Sequence, residues 1–146
     1  AACHKLAPYF PQAREDWTAT SKLPGADFEG NVLHLTQKYR KQAPWLDAAT
    51  ARRIASCYGS LAAGWLPKEL TLNFGSELCR EEVDYLMEQE WACSAEDILW
   101  RRTKLGLTLS DAAQAQLKAY VAQRMAARCG KPVTQIKENI EETSAA

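Results

Sequence analysis

Wherever the apolar residues of this chain fall into a pattern, they recur every three or four positions, and nowhere do they alternate over a useful length. A spacing of three and four builds helices with one apolar face, whereas a strand half-buried in a sheet needs a period of two. Proline and glycine cut the pattern into short pieces. The fold class that follows is all-α: a single compact bundle of about five helices, preceded by an extended linker.

The pieces can be placed one by one. Residues 1–26 carry the turn signals "APYFPQ" and "KLPGADF" without a sustained helical period, and read as a linker from a missing upstream domain. Asp27 then offers a cap for a helix with Phe28, Val32, Leu35 and Tyr39 on one face, stopped by Pro44. Asp47 offers the next cap, before Ala48, Ala51, Ile54, Ala55 and Tyr58. Gly59 ends that helix, and a short helix over Leu61 to Leu66 follows. "KELTLNFGSELC" gives mixed signals and reads as a loop. "REEVDYLMEQEW" places acids at its start and Val83, Leu86, Met87 and Trp91 on one face. Ser94 with Asp97 three residues on resembles a capping box before Ala95, Ile98 and Leu99, and Gly106 closes that segment. Thr108 or Ser110 starts the last long helix, with Ala113, Leu117, Tyr120, Val121 and Met125 as its stripe and "CGKP" as its stop. The helical domain therefore spans 27–130, and 131–146 is a polar tail.

Charge excludes several classes of partner. Lys plus Arg number 18 and Asp plus Glu number 18, so no global field draws the chain to nucleic acid. The longest uncharged run, Ile54 to Pro67, is shorter than the roughly 20 residues a membrane-spanning helix needs. The amino terminus has neither an initiating Met nor the plan of a secretory signal, and reads as a cut inside a longer protein. Five cysteines, scattered and never paired as Cys-x-x-Cys, point to a reducing, cytoplasmic setting and away from a thiolate metal site. The two histidines, His4 and His34, are not spaced as metal ligands, so no metal is expected.

Candidate chemistry is sparse. No Gly-x-Gly-x-x-Gly or Gly-x-x-x-x-Gly-Lys loop is present, so the chain has no usual means of binding a dinucleotide. Cys57 with His34 could form a nucleophile pair by residue type alone, and Glu88, Glu90, Glu96 and Asp97 could serve acid–base work, although carboxylates near helix ends more commonly form a solvated surface. Five tryptophans suit core packing plus a docking face better than base stacking, which needs a basic groove. Arg101, Arg102 and Lys104 could be an anion clamp. They follow a helix with acids in its first turn, however, so they complement the negative end of the helix dipole and stand over carbonyls rather than free N–H groups. That makes them helix-capping and possible docking residues; no catalytic or cofactor-binding residue is assigned.

The stretch "EWACSAEDILWRRTKLGL", residues 90–107, resembles the carboxyl-terminal domain of the FAD-dependent, aerobic glycerol-3-phosphate dehydrogenases. The likeness extends through "HKLAPYFPQA", "LPGADFEG" and "CYGS", and covers roughly residues 3–127. It implies a helical cap appended to a flavin domain that oxidises sn-glycerol 3-phosphate to dihydroxyacetone phosphate and passes electrons to membrane quinone. In that family the flavin-binding motif lies upstream, so the resemblance implies FAD in the parent, none in this chain, and no activity of the chain alone. The implied partners are the upstream flavin-binding domain and, for the parent, the surface of the cytoplasmic membrane. An independent helical protein-interaction module is the alternative, and a free-standing start would favour it.

Overall fold

The computed structural model describes residues 5–12, 19–75 and 78–129, and they form the all-α bundle that the periodicity predicts. Four α-helices run α1 (Val32–Gln42), α2 (Ala48–Tyr58), α3 (Arg80–Gln89) and α4 (Asp111–Cys129); a π-helix spans Asp97–Arg102 between the last two. Short 3-10 segments fill the turns at Ala7–Tyr9, Gly59–Gly64 and Leu105–Leu107. The first of them lies within the segment expected to be an extended linker. Trp17, His4, Cys3 and the tail 131–146 fall outside the described residues.

Local chemistry sets most boundaries. Asn31, not Asp27, caps α1: its side-chain oxygen accepts the His34 N–H at 3.1 Å, and Gly30 just before it takes φ +83°, so no helix continues back to Phe28. Asp27 instead pairs with Lys22 at 2.6 Å. Asp47 caps α2 through the Thr50 N–H at 2.6 Å, and Ser110 caps α4 through the Ala113 N–H at 3.3 Å. Gly59 ends α2 at φ +54°, where an added Cβ would lie 2.0 Å from the Gly25 carbonyl oxygen. Only glycine allows that approach, which also lets Ser60 donate to Gly25 O at 2.9 Å. The helix expected over 61–66 is thus a 3-10 segment starting at Gly59.

α1 and α2 pack against each other and against the 3-10 segment. Tyr39 O–H donates to Gly59 O at 2.6 Å and Trp45 Nε1 to Pro67 O at 3.1 Å, tying the turns to the helices. The loop before α3 folds back on itself, with Phe74 N–H on Leu78 O at 2.9 Å and one isolated bridge between Asn73 and Cys79. Tyr39, Ile54, Phe74, Leu78, Val83, Leu86, Ile98, Leu117 and Val121 fill a single core. Removing such side chains from water is the main favourable term, at about 25 cal/mol per Å² of apolar surface.

Two clusters of polar contacts tie α3 to its neighbours, one to α2 and one to α4. Arg53 of α2 grips Glu82 of α3 through both carboxylate oxygens, at 2.6 and 2.8 Å, and Tyr58 O–H adds a third bond at 2.6 Å. Glu82 is fully buried. Burial alone would favour a neutral Arg53, but the Glu82 carboxylate outweighs it and holds the guanidinium charged; burial and the same carboxylate push the Tyr58 hydroxyl up. At the other end, Arg124 of α4 reaches Asp84 at 3.0 Å and Glu88 at 2.9 Å, and Arg128 donates to Met87 O at 3.0 Å. Tyr120 O–H donates to Asp84 at 2.8 Å, and burial, aided by that carboxylate, pushes the phenol up to about 12.

Candidate docking site

The segment from Glu90 to Leu107 is built around a reciprocal cap. Ser94 Oγ accepts the Asp97 N–H at 3.1 Å, while Asp97 Oδ2 accepts the Ser94 and Cys93 N–H groups at 3.0 Å each. The Cys93 amide, then the Arg101 guanidinium and Ser94, favour the charged carboxylate, and its pKa falls to about 2. This is the box that the spacing predicts, but the helix it opens is a π-helix: the Thr103 N–H reaches Ile98 O at 3.0 Å, five residues back, and Thr103 Oγ1 shares that acceptor at 2.7 Å. Ile98 and Leu99 are buried beneath it.

Each basic residue singled out in the sequence has an internal partner. Arg101 pairs with Asp97 one turn back. Lys104 donates its ammonium to Trp100 O at the end of the π-helix. Arg102 donates to Glu90 O at 2.6 Å, so it covers a carbonyl at the end of α3 rather than at the end of its own helix. All three side chains remain on the surface, gathered by one short turn of chain.

Two backbone outliers bracket this turn. Trp91 takes φ +57° and Lys104 φ +63°, the only two such non-glycine residues among those described. Trp91 was expected on the buried face of α3; it is instead 84% exposed. The helix stops at Gln89, the chain reverses through the left-handed Trp91, and Ala92 is the residue that turns inward, fully buried, its N–H on Leu86 O at 3.0 Å. Trp100, 41% exposed, lays its ring on Gly106, where a Cβ would sit 2.5 Å away, and Leu107 beyond it is 77% exposed. Trp45 and Trp65 follow the core-packing expectation, both partly buried against the core. The period-based reading missed Trp91 because a helix stop just before it puts the side chain out of phase.

The other candidates disperse. Glu88 pairs with Arg124, Glu96 with Lys118 at 3.3 Å, and Asp97 serves the cap, so these carboxylates are structural. The Cys57 side chain reaches the surface, but desolvation by the residues packed around it raises its thiol, which disfavours the thiolate that a nucleophile needs. A cleft of about 470 Å³ between the turn before α1 and the 3-10 segment is lined by Asp27, Glu29, His34, Lys38 and Tyr39. It mixes charges of both signs, and among the described residues there is no strand-to-helix crevice, so the residues present do not fit a flavin dinucleotide. Among the described residues no helix is long and apolar enough to cross a membrane.

Comparison with known proteins gives this geometry a context. Residues 17–136 match the family described as the C-terminal domain of alpha-glycerophosphate oxidase. A glycerol-3-phosphate dehydrogenase of Pseudomonas aeruginosa (strain PAO1) is 40% identical over 126 residues, which cover 83% of this chain and 25% of that protein. The aerobic glycerol-3-phosphate dehydrogenase of Escherichia coli (strain K12) is 34% identical over 127 residues, or 84% of this chain and 25% of that protein. A D-erythritol 1-phosphate dehydrogenase of Brucella abortus (strain 2308) is 38% identical over 122 residues, 77% of this chain and 24% of that protein. The chain spans about a quarter of the length of the relatives it matches.

Proposed function

Since the chain belongs to the family of C-terminal domains of alpha-glycerophosphate oxidase, we propose that it is the helical cap of an FAD-dependent glycerol-3-phosphate dehydrogenase. The parent oxidises the secondary alcohol of sn-glycerol 3-phosphate to the ketone of dihydroxyacetone phosphate. FAD supplies the redox chemistry and is held by residues outside this chain. The electrons go to a membrane quinone, and the parent works from the surface of the cytoplasmic membrane. In this reading the chain alone has no activity. Its part is structural: Arg102 and Lys104 finish helix ends and Arg101 pairs with Asp97 through some of their N–H groups, and the three offer the rest to the flavin-binding domain.

The observation that carries the reading is the family match over 17–136 combined with relatives of which the match covers only a quarter, glycerol-3-phosphate dehydrogenases among them. The Brucella relative supports a second substrate, D-erythritol 1-phosphate, which shares the phosphate and the polyol.

The test uses the full-length protein that carries this chain. It should purify with about one flavin per polypeptide and reduce an artificial electron acceptor with sn-glycerol 3-phosphate, assayed beside D-erythritol 1-phosphate. The 146-residue chain should be colourless and inactive in the same assay. A full-length protein without flavin, or one that turns over neither polyol phosphate, would sink the reading.

A further inference from the structure

Trp91 is an expense to its own domain. It occupies the position just past a helix end where a left-handed backbone favours glycine, and a bulky side chain there is uncommon. An indole that is 84% exposed gains almost nothing from the core in return. Residues held in such sparsely populated conformations gather where a surface is used.

The turn that presents the indole is firmly held. Arg102 clasps Glu90 O on one side at 2.6 Å, and the Ala92 N–H on the other closes on Leu86 O at 3.0 Å. Cys93 Sγ adds a weak bond to Trp91 O at 3.4 Å. Arg102 is also the link to the second apolar group, since two residues before it Trp100 lies over Gly106, beside the exposed Leu107. A tryptophan on a firmly held turn, in a segment that also exposes Trp100, Leu107, Arg101, Arg102 and Lys104, has the composition of an interface centre: aromatic and Arg anchors inside a polar rim. Singly scattered apolar residues on a surface are ordinary, but none of the other exposed large apolar side chains described here sits on a left-handed backbone.

We propose that Trp91 is the apolar anchor by which this domain docks on the flavin-binding part of the parent protein. The inference rests on the functional reading above and extends it from the basic residues to the group that carries the binding. The relatives' remaining three quarters of chain supply the occupant, and the three bases specify its chemistry: an apolar pocket edged by carboxylates or carbonyl oxygens. A second copy of the chain would have to meet a like-charged fringe with its own.

The experiment is hydroxyl-radical footprinting, read by mass spectrometry, of the full-length protein and of the 146-residue chain. Trp91 should be oxidised about tenfold more slowly in the full-length protein, as expected of an anchor removed from water. Equal rates in the two proteins overturn the proposal. So does protection that grows with protein concentration, which would identify a second copy, and so does protection that appears only with anionic phospholipid vesicles. Trp91→Gly provides the second measurement. It should leave the denaturation midpoint of the 146-residue chain unchanged or raised, because glycine suits the left-handed site, and should make the full-length protein about tenfold more susceptible to proteolysis between the two parts. A midpoint that falls in the short chain as far as in the full-length protein would make Trp91 a structural residue and defeat the anchor. Flavin content and turnover of the wild-type protein judge the functional reading, and the footprint judges the anchor, so the two fail separately.

Discussion

Arg53 and Glu82, 29 residues apart in sequence, meet as a two-pronged ion pair with the carboxylate entirely out of water. Removing one partner strands the other. Arg53→Met should destabilise the domain by about 3 to 5 kcal/mol, because it leaves a buried carboxylate with only Tyr58 for support. The double variant Arg53→Met/Glu82→Leu should recover most of that loss. Urea melts of the wild type, both single variants and the double variant form the cycle; a cost for Arg53→Met below about 1 kcal/mol contradicts the account.

The cap at Ser94 makes a smaller prediction. Ser94→Ala leaves the Asp97 N–H without its acceptor and should cost about 1 kcal/mol. The change should be visible as a lower urea midpoint with an unchanged slope, and a change in slope would point to a different cause.

The same cap should be sensitive to acid. Asp97 has a folded-state pKa of about 2, below the ordinary 3.8. A depressed carboxylate contributes stability that is fully present above the unfolded value and is lost as pH falls through the folded one. The difference in Tm between wild type and Asp97→Asn should therefore be constant above pH 5 and shrink between about pH 4 and pH 2. A difference that persists undiminished at pH 2 rules out this source.

Gly59 allows a sharper test of backbone geometry. Gly59→Ala puts a methyl group 2.0 Å from the Gly25 carbonyl oxygen on a backbone already at φ +54°. Neither atom can step aside without opening the Ser60 to Gly25 bond and disturbing Tyr39 on Gly59 O. The loss should exceed about 3 kcal/mol, at the upper end of overpacking costs. Thermal unfolding within 1 or 2 degrees of wild type would show that the turn is more compliant than its geometry implies.

The cysteines should separate by exposure. Burial and the nearby Glu82 push the Cys79 thiol up to about 12, whereas Cys93 is exposed. At pH 8 a disulfide reagent should label Cys93 quickly and Cys79 only when the domain unfolds. Five thiols should titrate in denaturant, the full number in the sequence. Labelling of Cys79 in native protein at the rate of Cys93 would mean that α3 opens far more readily than a core helix should.

What could be read from the sequence was what is decided within four residues. Asp47 and the Ser94–Asp97 box announce themselves because a cap and its N–H lie three positions apart, the same spacing narrows the last cap to Thr108 or Ser110, and Pro44 stops a helix regardless of its surroundings. Glu82 was read as one more acid at a helix start. Its place among Cys79, Val83 and Leu86 on the inward stripe was the available signal, but the Arg53 that makes such burial tolerable lies on another helix. Arg102 was expected to finish its own helix and finishes α3 instead, since the nearest open carbonyl depends on how two elements cross. Trp91 escaped for a related reason: periodicity locates a stripe but does not say at which residue the last turn lets go.

The π-helix makes the residue count of this segment matter. Its wide turn holds one residue more than the ordinary ladder needs. Deleting one residue between 97 and 102 would take away the five-residue reach by which the Thr103 N–H and Oγ1 close on Ile98 O, and would shift the start of the chain reversal at Lys104. Lys104 and the Trp100–Gly106 contact would come out of step with Arg102 and Trp91. A surface assembled from both ends of this segment thus depends on chain length as strictly as on side-chain identity.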